Sequence, residues 1–198
     1  MLVVERMTPN PITVTGEITV KHALELAQEH RQSHLPVVNE RGALVGIVSE
    51  KHLLRSGGDQ RVEQVMAKEV ITVTEYAPVE EAARIMADNK ISSLPVMRDG
   101  KLVGIITEAA LFQIFLEQLG AREPGVRLTM LVPEEKGILA SVTGEIATMG
   151  GNILALTVFK GQDPTNRLVT VKVADVPGEK LVAIMEALGM EIVDVREV

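Results

Sequence analysis

The sequence predicts a mixed α+β (α/β) protein: two β-α-β-β-α repeats in tandem, followed by a β-α-β-β-α-β unit. Three observations predict it. Residues 7–54 and 66–112 repeat one another at an offset of 59, falling to 58 after one deletion. Within each copy, apolar residues recur first at helical spacing and then in short β-rich runs bounded by turns. After Leu119-Gly120 the rhythm changes, and the order of elements changes with it.

The repeat is carried by three pairs of segments. ITVT at 12–15 matches ITVT at 71–74, SHLPVV at 33–38 matches SSLPVM at 92–97, and GALVGIVSE at 42–50 matches GKLVGIITE at 100–108. Two copies are too few for a solenoid, so an internally duplicated domain is expected. Each copy opens with a short β segment, Thr13-Val14 or Thr72-Val73. Thr19 is suited to cap the first helix, and Pro78 to open its counterpart. Val20, Ala23, Leu24 and Ala27 share a helix face, as do Val79, Ala82, Ala83 and Met86. The helices should stop near His30-Arg31 and Asn89-Lys90. Strands follow at Leu35–Val38 and Leu94–Met97, with turns at Gly42 and Asp99-Gly100. The next strands are Leu44–Ser49 and Leu102–Thr107, and second helices begin near Glu50 and Glu108.

AREPG then reads as a linker. Arg127–Val132 is a strand, and Ile138–Met149 a helix stopped by Gly150-Gly151. Ile153–Phe159 and Arg167–Val173 are strands joined by the polar loop GQDPTN. Pro177 opens a helix through Leu188, closed by Gly189, and Glu191–Glu197 is the last strand. This order is that of the split βαβ, ferredoxin-like folds. The expected domains are 1–58 and 59–120 for the repeats, a linker at 121–126, and 127–198 for the last unit.

Composition narrows the function. Apolar residues are 46% of the 198, yet aromatics are 2%, so the core must be Val, Ile, Leu, Met and Ala. The absence of Cys excludes disulfides, thiolate metal sites and a Cys nucleophile. The net charge of −7 is evenly spread: 12 basic against 16 acidic side chains in residues 1–120, and 8 against 11 in 121–198. No basic half or tail invites nucleic acid. There is no secretion signal and no apolar run of membrane-spanning length, so the expectation is a cytoplasmic protein with no nucleic-acid or membrane partner.

The motifs carry no reaction. His22, His30, His34 and His52 lack metal-ligand spacing, and no metal site is expected. Glu80-Glu81 and Glu134-Glu135 are adjacent pairs. On a helix such neighbours diverge by about 100° and cannot flank one bond. Neither G-x-S-x-G nor a P-loop occurs, so no catalytic residue is assigned and no cofactor is required.

The duplicated half resembles the CBS family. The residues that carry this are SHLPVV and SSLPVM, the glycine turns, and LVGIVS and LVGIIT ahead of a helix. The resemblance implies a paired regulatory (Bateman) module with two clefts for adenine nucleotides (AMP, ADP or ATP) or for S-adenosylmethionine. Its motif G-x-x-[ST]-x-x-D falls on Gly46, Ser49 and His52 in the first copy, and on Gly104, Thr107 and Ala110 in the second. The ribose-binding Asp is thus His in one and Ala in the other. The candidate nucleotide site implied is Ile12, Thr13, His34, Pro36, Ser49, Lys51, His52, Arg55 and Thr107, with the first copy the stronger. Ser49 and Thr107 also suit helix caps.

The remainder resembles the ACT family through VPEEKGIL at 132–139 and Gly150-Gly151-Asn152-Ile153. That resemblance implies side-by-side pairing of subunits and an amino-acid-like ligand at Lys136, Gly137, Ile138, Asn152 and Ile153. Lys136 stands where the family usually has Pro. A CBS pair followed directly by an ACT domain is similar to the acetoin-utilisation protein B family, which implies a link to acetoin or acetate metabolism. The expected function is that of a homodimeric sensor of a small-molecule metabolite, regulating an enzyme in trans. The alternative is a dimeric interaction scaffold whose sites are empty.

Overall fold

The computed structural model describes residues 1–198. Through the first repeat run a 3-10 turn (Val3–Glu5), β1 (Thr8–Pro9), β2 (Val14–Thr15), α1 (Val20–Glu29), β3 (His34–Val38), β4 (Leu44–Ser49) and α2 (Glu50–Arg55). The second repeat has α3 (Val62–Val65), β5 (Val73–Thr74), α4 (Val79–Asn89), β6 (Ser93–Arg98), β7 (Lys101–Thr107) and α5 (Glu108–Gln118). The expected elements are present, the opening strands one residue later than the sequence suggests. Thr19 caps α1 by accepting a hydrogen bond from the His22 amide at 3.2 Å. Asp99 and Gly100 turn between β6 and β7 with φ of 48° and 74°, the left-handed region that the Asp-Gly pair favours.

β2 lies parallel to β3, and β3 antiparallel to β4; β5, β6 and β7 repeat this arrangement. Both long pairs slip register at one equivalent point, between Val37 and Val38 and between Val96 and Met97. Leu35 and Leu94, at matching positions, are fully buried. They anchor cores of Val, Ile, Ala and Met under α1 and α4.

Each repeat lends its leading segment to the other, which the repeat pattern alone does not announce. β1 pairs with β7, so residues of the first leader complete the second sheet. The Val3 and Val4 amides donate to the carbonyls of Ala77 and Glu75. In return, the Val62 amide donates to Ile18, the Glu63 amide to Gly16, and Ile47 and Ala67 exchange backbone bonds at 3.0 and 2.9 Å. The two leaders are equivalent: Val3 and Met7 stand 59 positions before Val62 and Met66. Met7 lies over Gly104 and Met66 over Gly46, where a side chain would displace the sulfur.

The chain divides into compact units at 1–112 and 113–198, inside α5 rather than at the expected linker 121–126. The reason is local to the second unit. Gly120 packs within van der Waals reach of Leu154, Ala155 and Lys172 as a Cβ would feel it, and its carbonyl accepts from Lys172 Nζ at 2.8 Å. The segment after α5 is therefore part of this unit's packing and not a free tether.

That unit contains β8 (Val126–Pro133), α6 (Ile138–Thr148), β9 (Asn152–Lys160), β10 (Asn166–Ala174), α7 (Gly178–Ala187) and β11 (Glu191–Glu197). Its sheet has the order β11-β8-β10-β9 with antiparallel neighbours, the fourth strand beside the first and the third beside the second. This is the split βαβ arrangement. Val126, Leu128, Met130 and Val132 alternate on β8 toward the core, as do Val169, Val171 and Val173 on β10. Val142, Ile146, Leu181 and Met185 of the two helices meet them. On the other face, Thr129 and Thr170 share a hydroxyl hydrogen bond of 2.9 Å. No helix of the protein is long and apolar enough to cross a membrane.

Candidate functional site

The exchange of leaders decides which residues meet at the end of β4. Ser49 ends that strand and caps α2, its Oγ accepting from the His52 amide at 3.2 Å. The hydroxyl proton remains free to donate. Beside this helix start opens a cleft of about 320 Å³. The first repeat supplies His34, Ile47, Ser49, Lys51 and His52; the second supplies the stretch Glu69–Ile71 ahead of β5, together with Lys90–Ser93 and Pro95.

The lining has two chemistries. Ile47, Val70, Ile71, Ile91 and Pro95 form an apolar slot. Ser49, Lys51, His52 and Lys90 form a polar rim of hydroxyl and cationic groups, opposed by the single carboxylate of Glu69. The backbone N–H and C=O of Ile71 make no hydrogen bond within the protein, so both are open to a ligand. Such a cleft suits a flat apolar ring with a polar edge at one end and an anion at the other.

His34 stands at the seam of the two repeats. Its Nε2 is 2.8 Å from Ser92 Oγ, and its Nδ1 is 3.1 Å from Ser33 Oγ. Burial pushes the imidazole below its ordinary value; Glu108 opposes this, and His52 adds to it.

The structure brings His34, Ser49, Lys51 and His52 together but separates other candidates from them. Ile12, Thr13 and Pro36 do not line the Ser49 cleft. Ile71 and Pro95, which stand 59 positions after Ile12 and Pro36, do so in their place. The cause is the exchange: α2 of the first repeat faces the strand ends of the second, so the cleft draws its slot largely from one copy and most of its rim from the other. Arg55, expected as a third cation, lies beyond the lining, and Lys90 of the second repeat supplies a charge instead. Thr107 caps α5, accepting from the Ala110 amide at 3.3 Å, and does not line the Ser49 cleft. Lys90 and Ile71 were legible only through the offset of 59, applied across the pair and not within one copy.

In the second unit, a cleft of about 230 Å³ lies at the loop joining β8 to α6. Gly137 and Ile138 line it, with Glu134, Glu135 and Arg167. The Arg167 guanidinium pairs with Glu134 and holds its carboxyl below the ordinary range. Gly137 has φ 89°, a left-handed entry to α6 that favours glycine. Lys136 adjoins this cleft in sequence but does not line it. Asn152 and Ile153 are elsewhere in the chain's own sheet. Asn152 pairs with Ala174 and Ile153 with Val173, whose other partner is Val126; Pro133, at the loop, pairs with Asn166. The eight residues of β8 between those ends, seven steps or about 23 Å, separate them. The expected single cluster of five residues is therefore not formed within one chain.

Comparisons with known proteins bear on the repeat pair and not on the second unit. The family model of the CBS domain matches residues 3–58 and 62–117. The L-aspartate semialdehyde sulfurtransferase of Methanocaldococcus jannaschii is 32% identical over 117 residues, 58% of this chain but only 23% of that enzyme. The chain thus spans about a quarter of this relative's length. Among solved structures, the CBS domain pair of protein MJ0100 in complex with 5′-methylthioadenosine and S-adenosyl-L-methionine matches with TM-score 0.57 and 31% identity, covering 62% of this chain and 98% of that one. A Vibrio cholerae protein assigned to acetoin utilization matches with TM-score 0.55 and 31% identity, over 62% and 96% of the chains. The protein CBSX2 in complex with AMP matches with TM-score 0.52 and 32% identity, over 58% and 96%.

Proposed function

This chain belongs to the CBS domain family, and from that premise we propose that it is a non-catalytic sensor that binds an adenine nucleotide in the Ser49 cleft. One observation carries the reading: a single 320 Å³ cleft joins an apolar slot at Ile71, Ile91 and Pro95 to a rim of Ser49, Lys51, His52 and Lys90. A purine fits the slot, and the open N–H and C=O of Ile71 offer a donor and an acceptor to its edge. The phosphates meet the helix start and its cations. His52 replaces the carboxylate that would grip both ribose hydroxyls, and a neutral imidazole accepts only one hydrogen bond. Base and phosphate must therefore carry recognition, and affinity should rise with phosphate number. The structures bound to AMP and to adenosyl compounds support an adenosyl ligand.

The ligand would act by binding one of two subunit arrangements more tightly, and a partner enzyme would read the shift. We place the sensor in a cytoplasmic homodimer, with exposed Phe159, Val193 and Val195 of the second unit as candidate contacts. The test is calorimetric titration of the whole chain with AMP, ADP, ATP and S-adenosylmethionine. Binding that strengthens from AMP to ATP supports the reading. Silence across all four would overturn it in favour of a scaffold with empty clefts.

The second cleft of 230 Å³ favours a further site of ACT type, taking an amino-acid-like carboxylate at the entry to α6. The left-handed Gly137 there allows close approach of a ligand to the backbone. An amino-acid panel in the same calorimeter tests it, and Gly137→Val should abolish whatever binding is found. The resemblance to the Vibrio cholerae protein supports, as part of this proposal, a role near acetoin metabolism.

A further inference from the structure

The two clefts of the repeat pair are made unequal by one side chain. Gln32 occupies the position equivalent to Ile91, 59 residues earlier. Its side chain does what no side chain does in the other cleft: Oε1 accepts from the Ile12 amide at 2.9 Å, and Nε2 donates to the Ile12 carbonyl at 2.8 Å. A third bond, from Nε2 to the His34 carbonyl at 2.9 Å, fixes the amide in place. Ile12 is the equivalent of Ile71, whose N–H and C=O are open.

A primary amide presents an acceptor and a donor side by side. Adenine presents the same pair, N7 beside the N6 amino group, along one edge. Gln32 therefore satisfies from within the two backbone groups that a purine would address from outside. A ligand entering there must break three hydrogen bonds and displace the amide. At Ile71 it breaks none.

We propose that Gln32 is a built-in occupant of the second cleft, so that the repeat pair takes one nucleotide per chain, and that removing it creates a second site. This rests on the adenine reading of the first cleft, yet it fails separately. The equivalence also predicts the remedy: Gln32→Ile copies the residue found in the open cleft. Thr107 is already in place as the counterpart of Ser49. Ala109 and Ala110 replace Lys51 and His52, so the new site should take adenosine about as well as AMP.

The experiment is equilibrium dialysis of the whole protein against radiolabelled AMP and adenosine, for the parent chain, Gln32→Ile and Gln32→Ala. Cooperative melting is checked for each, and Gln32→Ala serves if the isoleucine variant does not fold. One AMP bound per parent chain and two per variant supports the proposal. One in both, or two in the parent, overturns it. No binding by the parent with one ligand per variant would uphold the occupancy by Gln32 while refuting nucleotide binding at Ser49. No binding by any of them refutes both.

Discussion

The imidazole of His34 in one repeat and the hydroxyl of Ser92 in the other stand 2.8 Å apart, a hydrogen bond that ties the two copies at their seam. Burial favours the neutral ring, so its folded pKa lies below the ordinary 6.5. Between the folded value and 6.5 the unfolded chain holds more protons than the folded one, and stability rises with pH there. His34 thus contributes stability that is present above pH 6.5 and lost as pH falls through the folded value. Melting temperature should decline as the buffer is taken from pH 7 to below 6.5. His34→Gln, which keeps a polar partner for Ser92 but does not titrate, should flatten the decline. An unchanged slope in the variant would show that the pH response lies elsewhere.

The nucleotide proposal predicts an order among substitutions. Ser49→Ala and His52→Ala should each weaken ATP binding by roughly two- to tenfold, the worth of one hydrogen bond. Lys90→Ala should weaken it as well. Thr107→Ala and Arg55→Ala should change little, because neither residue lines the cleft. Raising salt should diminish the difference made by Lys90, whose contacts are screened. Calorimetric titration of the five variants measures this, and damage confined to Thr107→Ala would reverse the assignment of the site.

Two glycines near one another in sequence should respond oppositely to alanine. A Cβ on Gly151 would come within 2.8–2.9 Å of Val176, Ile146 and Val173, all branched or packed core side chains. Gly151→Ala should destabilise the second unit by about 1–3 kcal/mol. Gly144 lies within α6 with nothing within 4 Å of its missing Cβ. Gly144→Ala should stabilise by about 0.5–1 kcal/mol through helix propensity. Urea unfolding of both variants, monitored on the same preparation, gives the comparison.

Truncating the core anchors should cost more. Leu35→Ala and Leu94→Ala remove fully buried side chains at equivalent points. Each should lose about 2–5 kcal/mol, the range for deleting a buried leucine to a cavity. Denaturant midpoints decide whether the repeats are equally dependent on this position. Equal losses are expected from their matched burial.

Periodicity and turn residues carried most of the fold. The spacing of Val20, Ala23 and Ala27, the Thr19 cap and the Asp99-Gly100 turn each act within a few residues, so the sequence displays them directly. The turn at Val3–Glu5, the strand Thr8–Pro9 and the helix Val62–Val65 were not legible in that way. They are too short for a period to register, and their partners lie in the other repeat. The same exchange explains the site. Ser49, Lys51 and His52 follow one another along the chain and were found together, whereas Ile71 and Lys90 reach them only through the pairing of copies. The separation of Asn152 from Gly137 within one chain is not legible either, because strand register, which sequence does not print, sets them at opposite ends of β8 and its neighbours.

The borrowed leaders also impose an order on how the protein is made. Residues 1–9 leave the ribosome ahead of the rest of the repeat pair, yet their partners, Glu75, Ala77 and the strand ending at Thr107, follow about 70 to 100 residues later. At ordinary translation speeds that is a wait of roughly 4–20 s. The leader at 60–68 has no such delay, since the strand it joins has just been synthesised. The first repeat can thus close while the chain is still growing, and the second cannot close until residues 1–9 are drawn back across it. During the interval the unpaired edge of β7 is the segment most exposed to wrong partners, including the same edge on a neighbouring nascent chain.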